Sequence, residues 1–195
     1  MTVDGPTTIP MQGRYTRLVP FSREFTEELF QLAAANLIPW QWHAPETPDA
    51  FQESLWRGVL VQYAIQDLRT GRSVGFLRAD NANLFFGFAY MTFMLHPDYR
   101  MKAWPLEGVL LFANYLFAKF NLENLYGETT ETYMKQFASG IGTNFEVEGR
   151  LRNRVVINGR REDLYILTLS RARWLAEGKP VLDRTLERLR MRTVS

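Results

Sequence analysis

Arg100 and Lys102 stand between a charge-free run, Leu84 to Leu95, and a long apolar segment that begins near Trp104. A strand that feeds a basic loop at a helix N-terminus makes an anion site. The first backbone N–H groups of the helix lack partners, and its dipole favours negative charge there. Glu128 lies near the end of a later run, Leu125 to Thr129. A carboxylate at the end of a central strand sits where ligands gather in such sheets. It can take a proton directly or through water. Trp40, Trp42 and His43 fall in LIPWQWHAPETPDAF, which holds three prolines and cannot be one regular element. Two tryptophans there can cradle an apolar or cationic group.

Each of these residues also has a plainer structural role. Arg100 and Lys102 can form a solvated basic loop. Glu128 can be an exposed or ion-paired carboxylate, and the tryptophan segment an aromatic lid over the core edge. His96 follows the charge-free run, and loop capping is its simplest role. Glu107 falls in the first turn of its helix, where a carboxylate is favourable anyway.

Composition removes several function classes. The 195 residues suit one domain, and 46% hydrophobic with 14% aromatic content allows a sizeable core. There is no cysteine, which removes disulfides, thiolate metal sites and cysteine nucleophiles. With two histidines in all, no multi-histidine metal site is expected, and no metal is assigned. The net charge of +2 is too small to argue for nucleic acid, although the basic residues are nearly all arginine. The N-terminus has no basic segment followed by an apolar run, and Val109 to Phe120 is too short to span a bilayer. A soluble, cytoplasmic protein that binds no membrane is expected.

The elements that must position these residues follow from periodicity. Residues 1–12 read as a flexible lead-in, and Arg14 to Val19 as a first strand. Ser22 caps a helix with Phe25, Leu29, Leu32 and Ala33 on one side. Thr47 and Pro48 start a second helix. Val59 to Asp67 and Ser73 to Asp80 form a hairpin, Asn81–Asn83 turns the chain, and Leu84 to Leu95 is a central strand. A helix from Trp104 to Phe120 crosses to Leu125–Thr129, which makes a parallel pair. A helix from Thr130 to Ala138 follows. Asn158–Gly159 joins the last two strands, Phe145–Ile157 and Glu162–Ser170. Gly178 and Pro180 break the chain before an amphipathic tail helix, Val181 to Arg192. That tail docks on the domain or on a second copy in a homodimer. The sum is an α+β fold with a mixed, mostly antiparallel sheet flanked by helices on both faces.

Three segments resemble the GNAT superfamily of acetyl-CoA-dependent N-acetyltransferases, and most of all its ribosomal-protein N-terminal acetyltransferase branch. They are GRYTRLVPF at the start, LHPDYRMKAWPLEGVLLFANYLFAKFNLENLYGET at 95–129, and NFEVEGRLRNRVVINGRREDLYILTLSRARW at 144–174. The resemblance implies a GNAT-like acyltransferase domain over residues 13–174 and a C-terminal helical tail over 175–195.

The resemblance also implies roles. The family pattern Arg/Gln-x-x-Gly-x-Gly/Ala matches Arg100-Met101-Lys102-Ala103-Trp104-Pro105. Acetyl-CoA, or another acyl-CoA, is then the co-substrate, held by Met94, Leu95, Arg100, Met101, Lys102, Ala103 and Trp104. The backbone near Met94 and Leu95 would hold the oxyanion. Ala103 and Pro105 stand where the family has glycine and a second small residue, and proline offers no N–H. Counting back from Phe145 sets Tyr133 where relatives carry an asparagine and Gln136 where they carry a serine. Tyr133 would protonate the leaving thiolate, and Glu128 would be general base. Trp40, Trp42 and His43 would border the acceptor, a small-molecule amine or a protein N-terminus. The expected function is acyl transfer from a CoA thioester to a primary amine. The alternative is a protein that keeps the fold but has lost ordinary acetyl-CoA transfer, acting as a binding scaffold or taking acyl groups from a carrier protein.

Overall fold

The computed structural model describes residues 9–34, 47–100, 102–137, 145–157 and 159–193. Trp40, Trp42, His43 and Met101 lie outside them. Seven strands form one sheet in the order β1-β2-β3-β4-β5-β7-β6. They are β1 (Thr16–Val19), β2 (Val59–Asp67), β3 (Ser73–Asn83), β4 (Phe88–Leu95), β5 (Asn124–Thr130), β6 (Glu146–Ile157) and β7 (Arg160–Ser170). Only β4 and β5 run parallel. The helix α3 (Leu106–Lys119) makes the crossover between them, as the run of apolar residues predicts.

Strand alternation builds two cores. Ala64 and Phe76 pack with Phe25, Leu29, Ala33, Phe51 and Leu55 of α1 (Arg23–Ala34) and α2 (Pro48–Trp56). Their neighbours Ile65 and Leu77 point the other way, into a core with Leu111, Phe112 and Leu116 of α3. Helices therefore cover both faces, as expected. The short α4 (Glu131–Phe137) follows β5 directly.

Three boundaries differ from expectation. The central strand begins at Phe88, not Leu84, because Leu84–Gly87 is a turn. Asn83 Oδ1 accepts from the N–H groups of Phe85 and Phe86, and Gly87 has φ +72. The apolar run hid this turn, and Phe85 is 91% exposed. The lead-in is tied down over residues 9–12: Gln12 bridges Arg17, and Met11 O accepts from Leu18 N at 2.8 Å. Gly178 and Pro180 do not break the chain. Helical backbone runs from α5 (Arg171–Arg173) through a π turn (Trp174–Gly178) into α6 (Lys179–Thr193). A Cβ at Gly178 would collide with the Trp174 ring, so glycine here makes room for the buried indole. Leu182 is 1% exposed, so α6 packs on the domain's own core.

Candidate active site

β4 and β5 pair at three positions, Phe88↔Asn124, Ala89↔Leu125 and Tyr90↔Tyr126, and then part. Beyond that point β4 pairs only with β3, through Phe76↔Met94 and Gly75↔Leu95 among others. β5 beyond it pairs only with β7, through Glu128↔Ile166 and Thr129↔Tyr165. The fork opens a cleft between the halves of the sheet, lined by Met91, Thr92 and Phe93 on one side and Gly127 and Glu128 on the other. Leu125, Phe145, Leu167 and Leu169 complete its wall. Met94 and Leu95 thus run along an edge with no strand beside it, where backbone N–H groups can meet a ligand.

Glu128 is exposed at the mouth of the fork. Partial burial of its carboxyl raises its pKa. Arg154 opposes that shift and Asp80 adds to it. Such a group keeps its proton to higher pH than an ordinary glutamate and becomes a stronger base once ionised. Tyr133 lies in the first turn of α4, half-buried, three residues past the end of β5. The neighbouring Thr132 anchors that turn, its N–H donating to Glu162 Oε2 at 3.1 Å.

β4 continues into a tightly wound loop. His96 caps a 3₁₀ turn, Pro97–Tyr99, its Nδ1 accepting from Asp98 N at 3.2 Å. That hydrogen bond puts the proton of a neutral imidazole on Nε2, which faces Glu28 Oε1 at 3.6 Å. The capping role is therefore the one His96 fills. Lys102 Nζ lies 4.5 Å above the Tyr99 ring, and Tyr99 meets Trp104 edge to face. Lys102 N donates to Tyr99 O, Leu106 N to Ala103 O, Glu107 N to Trp104 O and Gly108 N to Pro105 O. These turns use N–H groups at the helix start. Ala103 and Trp104 are not engaged as donors in them, and Pro105 has no N–H. Arg100 is half-buried in the same loop.

Glu107 is 6% exposed and turns away from the fork. Its carboxylate accepts from the N–H groups of Arg14, Tyr15 and Thr16 and from the Thr16 hydroxyl, all within 2.9 Å. It ties α3 to the entry of β1. Sequence reasoning set Glu107 at the helix start but had no means of finding these donors, which lie more than 90 residues away.

Sequence reasoning also missed two polar rows on the sheet face that α1 and α2 cover. The registered row Ala64–Phe76–Met94 is apolar and packs on those helices. Two residues along, the row is Gln62–Arg78–Thr92, and the next contains Asp80, Tyr90 and Tyr126. Arg78 Nε lies 2.7 Å from Asp80 Oδ2, both side chains being buried, and Arg78 Nη2 donates to Arg57 O. Tyr90 and Tyr126 have ring centroids 5.6 Å apart. The legible signal was Arg78 and Asp80 themselves. Two charges at alternate positions of an otherwise apolar central strand share one face.

No protein-family model matches the sequence, and no curated protein matches it. Solved structures do. The Vibrio cholerae spermidine N-acetyltransferase in complex with CoA and spermine superposes with a TM-score of 0.72 at 18% identity, covering 83% of this chain and 98% of that one. The Vibrio cholerae spermidine/spermine N-acetyltransferase with manganese ions gives 0.68 at 17%, over 83% and 96% of the two chains. A chimera of the Vibrio cholerae enzyme and hSSAT gives 0.70 at 17%, over 84% and 100%. At these identities the likeness is one of fold. The chain has the mixed α+β fold of these acetyltransferases, the GNAT fold expected from the sequence. Among the described residues, no helix is long and apolar enough to cross a membrane.

Proposed function

We propose that the protein is an N-acyltransferase that moves an acetyl or other acyl group from a CoA thioester to a primary amine. The β4–β5 fork with Glu128 at its mouth carries this reading. A thioester laid along Met94 and Leu95 would meet backbone donors at its carbonyl. The acceptor nitrogen attacks that carbon as a neutral amine, the C–N bond forms, and Glu128 takes the proton, directly or through water. The C–S bond then breaks, and Tyr133 supplies a proton to the thiolate. Arg100 and Lys102 would hold phosphate charge at the loop, together with the Ala103 and Trp104 backbone and Met101. Trp40, Trp42 and His43 would border the acceptor, which is a small-molecule amine or a protein N-terminus.

One observation favours a second reading. Pro105 has no N–H, and its neighbours Leu106, Glu107 and Gly108 donate within the loop's own turns. The pyrophosphate loop is therefore short of the free donors that glycine-rich relatives present. This supports the reading of a degenerate loop in a chain near the ribosomal-protein acetyltransferase branch. It also supports a scaffold that has lost ordinary acetyl-CoA transfer, or that draws on a carrier-bound acyl group. Calorimetric titration with acetyl-CoA separates the two. Saturable binding supports the transferase, and no heat at millimolar acetyl-CoA supports the scaffold.

A further inference from the structure

Gln62 is 5% exposed, and neither Nε2 nor Oε1 has a hydrogen-bond partner. A primary amide has two N–H donors and an oxygen that accepts twice. Leaving it unmet in a buried site costs about 1–3 kcal/mol. Its cross-strand neighbour Arg78 gives no relief, because that guanidinium is engaged by Asp80 Oδ2 and Arg57 O. Gln62 stands in the row where the apolar cover of α1 and α2 gives way to the polar face. That row runs through Arg78 to Thr92, and Thr92 lines the fork. Gln62 thus belongs to the polar floor that leads from the reacting centre under the helices.

We propose that Gln62 is a specificity-determining residue of the acceptor site, pairing through both ends of its amide with an amide group that the acceptor carries beside its amine. The inference rests on the acyltransferase reading of the fork. The chemistry selects the group. A protonated polyamine offers only donors and leaves the Gln62 N–H groups unmet. A carboxylate offers only acceptors and leaves Oε1 unmet. A peptide unit meets both, and so does the amide of a small metabolite. The acceptor class is therefore amines with a neighbouring amide, peptide N-termini among them. The competing occupant is buried water.

The test uses the full chain with acetyl-CoA as donor, thiol release as readout, and trialanine, β-alaninamide and spermidine as acceptors. Gln62→Met keeps the length and removes the amide. The wild type is expected to favour both amide-bearing acceptors over spermidine. Loss of two neutral hydrogen bonds should raise the variant's KM for them about tenfold, with kcat changed less than about twofold. A trialanine effect alone assigns a peptide acceptor, and an effect on both assigns any amide. An unchanged KM for both, with a higher thermal midpoint, overturns the proposal and leaves an amide met by buried water. If the wild type releases no thiol with any acceptor, the acyltransferase reading fails. Calorimetric affinity for trialanine then decides Gln62 alone. Tenfold weaker binding by the variant supports the role, and equal binding or none by the wild type overturns it.

Discussion

Glu107 holds Thr16 twice, at its backbone N–H and at its hydroxyl, both at 2.9 Å to the same carboxylate oxygen. With Arg14 and Tyr15 donating as well, the start of α3 and the start of β1 are joined through one buried side chain. The loop with Arg100 and Lys102 leads directly into that helix turn, so the anchor fixes the candidate anion site against the sheet.

Glu107→Gln turns an acceptor oxygen into a donor that faces other donors. The expected cost is about 2–4 kcal/mol, read as a lower urea midpoint. Gly13→Ala should cost a similar amount, because its Cβ would collide with the same carboxyl group. Neither substitution touches the fork. Protein that remains folded should keep its acceptor KM.

Glu128→Gln removes the proposed base and should lower kcat by about 10²–10⁴-fold, with a smaller change in acetyl-CoA affinity. Only ionised Glu128 accepts a proton, so wild-type activity should rise with pH through its pKa. That limb lies above the ordinary glutamate value of 4.5, because burial of the carboxyl raises it. Arg154 favours the ionised form, so Arg154→Gln should move the limb to higher pH. Asp80 opposes it, so Asp80→Asn should move the limb lower. A pH–rate profile with folded fraction checked by circular dichroism reads both shifts, and movement in the same direction would remove Glu128 as the titrating base.

The loop's shortage of donors can be repaired. Ala103→Gly with Pro105→Gly restores one N–H and frees the backbone. The double variant should bind acetyl-CoA about tenfold tighter by calorimetry, the value of one or two added hydrogen bonds to phosphate. Arg100→Ala with Lys102→Ala should weaken binding, by an amount that shrinks as salt rises.

Arg171 closes the far end of α3. Its guanidinium donates to Leu122 O at 2.7 Å, Phe117 O at 2.9 Å and Phe120 O at 3.1 Å. Lysine carries the charge but cannot reach three carbonyls with a planar fork. Arg171→Lys should cost about 2–3 kcal/mol, read in thermal or urea unfolding.

Where local chemistry settled an element, the sequence was enough. Val59–Asp67 alternates and ends in a glycine turn, and β2 has those limits. The apolar crossover required a parallel pair, and β4–β5 is that pair. The site was legible as a place, a strand followed by a basic loop, because those residues are contiguous. Its distant partners were not legible. Glu107 looked like an ordinary first-turn acid because its donors come from β1. Gln62 gave no signal, since one glutamine in a strand is unremarkable until its neighbours are known. Leu84–Phe86 read as strand because hydrophobicity cannot distinguish a buried run from one that Asn83 has bent into solvent.

The π turn at Trp174–Gly178 sets the angular phase of everything after it. A π turn carries one residue more than the α-helical turn it replaces, and each helical residue advances the direction of its side chain by about 100°. The extra residue thus decides which face of α6 meets α3. Deleting Ala176 would let the backbone relax to plain α-helix and swing Leu182 about a quarter-turn out of the core. The exposed Val181 or Asp183 would turn toward its place. A one-residue deletion in an exposed helical turn would then act as a rotation of the whole C-terminal helix.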